Sequence, residues 1–159
     1  MKKITHLDKE NKPQMVDVSS KKITTRFAHA QTKIIFPSLI SERFINGDIN
    51  TAKGPVFSTA IIAGVMAAKK THELIPFCHP IGLDDCDIKI EFNTKKEVMI
   101  DCICKVKHRT GVEMEAMTGS SVAALTIYDM CKALSHNIII QETKLISKSG
   151  GKKDFHREK

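Results

Sequence analysis

Five stretches of this chain carry residue types that can do chemistry, and their spacing says which kind. Asp129 and Lys132 stand three apart, so on a helix they share a face and pair. They lie in an apolar stretch, residues 123–134, that should be largely buried. The spacing therefore predicts an ion pair facing a cleft, with a lysine whose lowered pKa suits acid or base work. On a solvated face the same pair would contribute only about 0.3–0.5 kcal/mol. Lys53 precedes Gly54 and Pro55 at an expected helix start, where backbone N–H groups and a cation together favour an anion. Lys148 precedes Ser149-Gly150-Gly151, and glycine-rich backbone beside a lysine can wrap a phosphate. The Gly-x-x-x-x-Gly-Lys-[Ser/Thr] loop of nucleotide triphosphatases is absent.

Pro76 and Pro80 bracket a stiff loop, Phe77-Cys78-His79. An imidazole held in one direction there can donate to a phosphate or exchange a proton near neutral pH. A lone histidine is more often satisfied by nearby backbone. Glu113 and Glu115 admit two readings. In a strand they share a face; in a helix they point about 200° apart. Thr110-Gly111-Val112-Glu113 matches a capping box, which favours a helix and a structural Glu113. The alternation of residues 112–116 favours extended chain, with Thr118 then capping a helix that starts after both glutamates. Glu115 and Asp129 are fourteen residues apart, about 21 Å on a continuous helix. If both serve one small-molecule site, they come from different subunits.

Cys78, His79, Cys102, Cys104 and His108 offer ligands of a zinc type. No Cys-x-x-Cys or His-x-x-x-His spacing supports that reading. Cys102 and Cys104 alternate with Ile100 and Val106, where a buried thiol acts as a small hydrophobe, so core packing is expected and a metal is not.

The elements that must position these residues follow from patterning. A strand is expected at 32–36, a short helix from Ser38 through Asn46 stopped by Gly47, and a longer helix from Pro55 to about His72. The long helix is rich in small residues, which predicts close packing against the sheet in preference to a subunit contact. Ile88, Ile90 and Phe92 alternate with charged residues, residues 93–96 turn, and Val98, Ile100, Cys102, Cys104 and Val106 line the return: a β-hairpin. A long apolar helix to about Ser135 and a strand over 137–146 complete the chain. One antiparallel sheet with helices packed on one face, a ferredoxin-like α+β arrangement, satisfies this order.

The 159 residues suit one domain, with residues 1–20 as a loose polar arm and 148–159 as a mobile basic tail. No apolar run reaches the ~18 residues that span a bilayer, and the polar first residues lead us to expect no signal peptide. Five cysteines then read as reduced thiols in a cytoplasmic protein. The formal charge is +7, spread as pairs such as Lys21-Lys22, Lys69-Lys70 and Lys152-Lys153. With 5% aromatic residues and no tryptophan there is little to stack on bases, so a phosphorylated small molecule fits better than nucleic acid. A basic RNA-binding module is the competing reading, and a zinc-binding subunit the third.

Several blocks, in order, resemble the cyclic pyranopterin monophosphate synthase family of molybdenum cofactor biosynthesis. They are residues 15–19, Lys53-Gly54 with Ile62-Ala63-Gly64, residues 74–80, residues 110–116, residues 121–133 and residues 148–152. The resemblance implies conversion of (8S)-3′,8-cyclo-7,8-dihydroguanosine 5′-triphosphate to cyclic pyranopterin monophosphate plus diphosphate, without metal or cofactor. It implies catalytic roles for Asp129, Lys53 and Lys132. It implies substrate contacts from Phe77, Cys78, His79, Glu113, Met114, Glu115, Arg26 and Lys148. It also implies a homohexamer, a trimer of dimers with sites at the dimer interface, and no nucleic-acid or membrane partner. Three places depart from the family pattern: Pro55 stands where an acidic residue is usual, Ile61 where an arginine is, and Thr118-Gly119-Ser120 replaces a more alanine-rich stretch.

Overall fold

The computed structural model describes residues 10–158 except 43, 46 and 94–96, with backbone alone at 44 and 45. In chain order the elements are β1 (Thr24–Ile35), α1 (Ser38–Ser41), β2 (Phe44–Ile45), β3 (Asp48–Thr51), β4 (Gly54–Pro55), α2 (Val56–Lys69) and α3 (Thr71–Leu74). Then come β5 (Asp85–Phe92), β6 (Glu97–His108), α4 (Glu113–Cys131), β7 (Ile139–Ser149) and β8 (Phe155–His156). Five strands form one sheet in the order β5-β6-β1-β7-β8, every pair antiparallel. Strands β2, β3 and β4 make a small second sheet. The expected α+β architecture, an antiparallel sheet with packed helices, is present. No helix among the described residues is long and apolar enough to cross a membrane.

The sheet has one dry face because its alternation is strict. Val98, Ile100, Cys102, Cys104 and Val106 of β6 and Ala28, Ala30, Thr32 and Ile34 of β1 are buried on it. Strand β1 starts at Thr24, eight residues before the expected 32. Alanines at 28 and 30 leave a weak apolar signal, yet their small size admits α4 onto the sheet. The other face of β1 is polar: His29 Nε2 lies 2.6 Å from Asp101 Oδ1 on β6, and Gln31 donates to the same oxygen at 2.9 Å.

The helix expected over 38–46 is confined to α1. Gly47, at φ +85°, sits where the chain turns into β3, a backbone that favours glycine. Position 46 itself lies outside the described residues. Asp48, just after, caps α2 from a distance in sequence. Its carboxylate accepts N–H bonds from Phe57 at 2.7 Å and Ser58 at 3.2 Å, satisfying donors that a helix start leaves open. Pro55 occupies the N-cap position of α2. The expected 55–72 helix is divided at Lys70 into α2 and α3.

The small residues of α2 meet α4 as well as the sheet. A Cβ placed on Gly64 would lie 2.8 Å from the Gly119 carbonyl oxygen and 2.5 Å from Ile88 Cδ1. One on Gly119 would lie 2.6 Å from Cys102 Sγ. Backbone therefore rests on backbone where the two helices cross. Gly64→Ala should destabilise the fold by about 1–3 kcal/mol, despite an intrinsic helix gain of about 1 kcal/mol. Urea unfolding will check this, with Gly82→Ala as the control because its Cβ meets nothing within 4 Å. Equal midpoints for the two variants would show that the crossing is not tight.

Candidate active site

The residues singled out in the sequence gather at the two ends of α4. At its C-terminal end the Asp129 carboxylate bridges two lysines. Lys132 Nζ lies 2.7 Å from Oδ1 and Lys53 Nζ lies 2.8 Å from Oδ2. Lys53 also donates to the Asp129 carbonyl at 3.2 Å. It arrives on the turn between β3 and β4, whose shape is held by Lys53 N–H donating to Thr51 Oγ1 at 3.2 Å. Lys132 first and Lys53 second hold the Asp129 carboxyl at about 2, so it stays charged at any physiological pH.

Two expectations fail at this end. The Asp129–Lys132 pair is half exposed, at 54% and 48% of side-chain area, because it lies on the outward face of a helix end whose other face buries Ile127, Met130 and Cys131. The Lys132 pKa is raised, not lowered, because its ion pair with Asp129 outweighs desolvation.

At the N-terminal end of α4 two cavities adjoin. The first, of about 480 Å³, is lined by Arg26, Lys148, Lys21, Lys22, Arg109 and Lys152, with Glu113 as its acid. Lys148 Nζ pairs with Glu113 Oε1 at 2.7 Å. Arg26 is anchored by donating to the carbonyls of His108 at 3.3 Å and Arg109 at 3.0 Å. The cleft exists because β1 runs between β6 and β7, setting Thr24 opposite His108 and Ala28 opposite Lys148. Strand β7 continues to Ser149, past the expected 146. Gly150 follows at φ +82°, and a side chain there would strike the Thr25 carbonyl oxygen. Beyond it, Gly150 N–H donates to Asp154 at 3.1 Å, and β8 pairs back onto Ser147 and Lys148.

The second cavity, of about 340 Å³, holds Phe77, Cys78, His79, Met114 and Glu115, and shares Glu113 and Lys21 with the first. His79 Nε2 is 2.8 Å from the Val16 carbonyl, so Nε2 carries the hydrogen and Nδ1 is left for another partner. The Nε2 partner is backbone, as expected of a lone histidine, but of the N-terminal arm rather than of the loop itself. Helix α4 begins at Glu113, so the helical reading of the two glutamates holds and Thr118 lies mid-helix. The capping box does not form: Val112 is the N-cap and makes no side-chain bond, while Glu113 turns to Lys148. Glu115 is 4% exposed, and burial pushes its carboxyl up to about 7. Burial, with the Glu115 charge second, also pushes the Cys78 thiol up, away from nucleophilic thiolate.

The structure thus joins Phe77, Cys78, His79, Met114, Glu115, Glu113, Arg26 and Lys148 at one end of α4. It sets Lys53, Asp129 and Lys132 at the other. Sequence reasoning left Lys21, Lys22, Arg109 and Lys152 unassigned. Only the strand register brings them together.

An α+β domain with a cation-lined cleft opening beside a pocket that holds a protonatable carboxylate has the charge to hold a small anion. Comparison with known proteins gives the family. The MoaC family model matches residues 15–151, and the chain belongs to that family. It is 52% identical over 153 residues to a protein of Xanthomonas campestris pv. campestris named cyclic pyranopterin monophosphate synthase, covering 96% of this chain and 93% of that one. It is 49% identical to a Dictyostelium discoideum protein named molybdenum cofactor biosynthesis protein 1, covering 93% of this chain and 26% of that longer one. A Synechocystis protein named molybdenum cofactor biosynthesis bifunctional protein is 50% identical, covering 94% and 44%.

The raised Glu115 carboxyl has a consequence for stability. Between about 4.5 and 7 the folded chain keeps a proton that the unfolded chain has lost. Stability therefore falls as pH rises through that window, by up to about 3 kcal/mol. Glu115→Gln, which cannot titrate, should flatten the dependence. Urea unfolding of both proteins at pH 5 and pH 8 will show it; parallel pH slopes would mean that Glu115 is not desolvated.

Proposed function

We propose that this chain is a cyclic pyranopterin monophosphate synthase acting in the cytoplasm. It converts (8S)-3′,8-cyclo-7,8-dihydroguanosine 5′-triphosphate to cyclic pyranopterin monophosphate and diphosphate. The carrying observation is the basic cleft of Arg26, Lys148 and neighbouring lysines opening beside the pocket of His79 and Glu115. The family and the names of its relatives support the reading.

The chemistry needs what these residues offer. A ribose hydroxyl attacks the α-phosphorus, the P–O bond to the diphosphate breaks, and the hydroxyl proton leaves. Cations around the phosphates stabilise the charge that develops on the leaving diphosphate. The purine-derived rings must also be opened and rebuilt, which needs proton exchange. Glu115, poised at about 7, can give or take a proton near neutral pH, and His79 Nδ1 is left to hydrogen-bond a ligand in the same pocket. Phe77 and Met114 present apolar surface for the ring system, being 41% and 38% exposed.

Lys53, Lys132 and Asp129 complete the site from a second copy of the chain. Asp129 stands about 21 Å along α4 from Glu115, too far for one substrate to bridge. Ile62 and Met66 on α2 and Leu125 on α4 are more than half exposed, apolar surface that association would cover. A homohexamer built as a trimer of dimers, with sites at the dimer interface, satisfies both features.

Purified protein incubated with the cyclised triphosphate should yield cyclic pyranopterin monophosphate and diphosphate by mass spectrometry. Asp129→Asn and Lys53→Ala should each lose at least about 100-fold in turnover while remaining folded. A folded, oligomeric wild type that yields no product would overturn the assignment.

Sharing of the site has its own test. Lys53→Ala and Lys148→Ala chains, each inactive alone, should recover about a quarter of wild-type activity when co-expressed, because each mixed dimer restores one of its two sites. No recovery in verified mixed dimers would place the whole site in one chain.

A further inference from the structure

Three of the five cysteines converge beneath the helices, away from both cavities. Cys86 stands opposite Cys104 in the β5–β6 register, and Cys102 precedes Cys104 by two on the same buried face. The sulfurs of Cys102 and Cys104 are 3.9 Å apart, as are those of Cys104 and Cys86, and all three lie within 4.8 Å of one another. A point equidistant from the three is about 2.3–2.5 Å from each, the length of a metal–thiolate bond.

We propose that Cys86, Cys102 and Cys104 form a three-sulfur site for one Cu(I) ion. The donor set selects the ion. Among the described residues the group within 4.8 Å is three thiols, with no imidazole or carboxylate joining them. Structural zinc takes four ligands in a tetrahedron, which this set does not offer. Thiolate is a soft ligand that selects Cu(I) where hard donors are absent. The surroundings fit a small soft ion. Cys102 and Cys104 are wholly buried, and Gly119 of α4 lies over Cys102 so closely that any side chain there would press on its sulfur. Cys86 is only partly buried and sits on β5, the edge of the sheet, so the ion arrives from that side. Binding displaces thiol protons to solvent, and no oxidation is required.

The test is an anaerobic titration of the whole protein with Cu(I) supplied as its acetonitrile complex, against a competing Cu(I) chelator. One Cu(I) per chain should be retained, with sulfur-to-copper charge-transfer absorption. X-ray absorption should count three sulfurs at about 2.3 Å. Cys86→Ser should lower the affinity at least about 100-fold, and Cys78→Ser should leave it unchanged. Because Cys86 is partly exposed, its serine variant should fold, which circular dichroism will verify; Cys104→Val, an apolar replacement for a buried thiol, gives a second deletion. No stoichiometric retention, two-sulfur coordination, or binding indifferent to Cys86→Ser and Cys104→Val would each overturn the site.

Discussion

Helix α4 is nineteen residues long, and an α-helix rises about 1.5 Å per residue whatever its sequence. That rise separates Glu115 from Asp129 by more than the substrate's reach. Flexing cannot shorten it, because α4 is clamped along its length. Buried Ala116, Ala123, Ala124 and Ile127 face inward, and the crossing with α2 is closed at Gly64 and Gly119. The same packing that makes the helix a rigid ruler makes the fold stable. Under the proposed reading, the demand for a second copy follows from this rigidity.

The two ends of the ruler receive different neighbours because different strands terminate there. At the N-terminal end, β1, β6 and β7 run together; the start of β1 brings Arg26, the end of β7 brings Lys148, and the residue after β6 brings Arg109 to one cleft. At the C-terminal end the β3–β4 turn delivers Lys53. Positive charge scattered along the sequence is thereby sorted into a large basin and a small pair. Asp129 keeps that pair together. Without its carboxylate, two ammonium groups drawn to one point would repel, and long lysine side chains would have little reason to converge.

How much of this the sequence discloses depends on the range of the interaction. The β5–β6 hairpin is legible because period-two alternation and a short turn are local. The position of α4 is legible because residues 122–127 are almost unbroken apolar chain. The Asp129–Lys132 spacing is local too, and the pair forms. Its exposure is not local: it depends on which face of α4 the sheet and α2 cover, and apolar neighbours at 123–134 suggested burial, which Ile127, Met130 and Cys131 take on the other face. The start of β1 is hidden because Ala28 and Ala30 say little about strands until α4 is seen to need the room. Lys21, Lys22, Arg109 and Lys152 look like solvated surface because their meeting depends on strand register across most of the chain. The capping box at Thr110–Glu113 misleads for a related reason. A charged partner at Lys148 offers Glu113 a stronger bond than the backbone N–H of Thr110 does.

Glu115 and Asp129 show how one helix can carry two carboxylates with opposite habits. Burial raises the first to about 7; two lysines lower the second to about 2. At neutral pH Glu115 is close to half protonated and can serve as either acid or base, whereas Asp129 is a permanent anion and a poor proton acceptor. Environments that push two titratable groups apart in this way are the usual means of assigning proton chemistry to one and charge placement to the other. The proposed roles then divide. Proton exchange with the ring system falls to the Glu115 end. Orientation of the lysines that meet the phosphates falls to Asp129. Since the two carboxylates of one chain are held apart by α4, the proposed acid–base group and anchored cations would meet across an interface, and under that proposal assembly and catalytic competence become a single event.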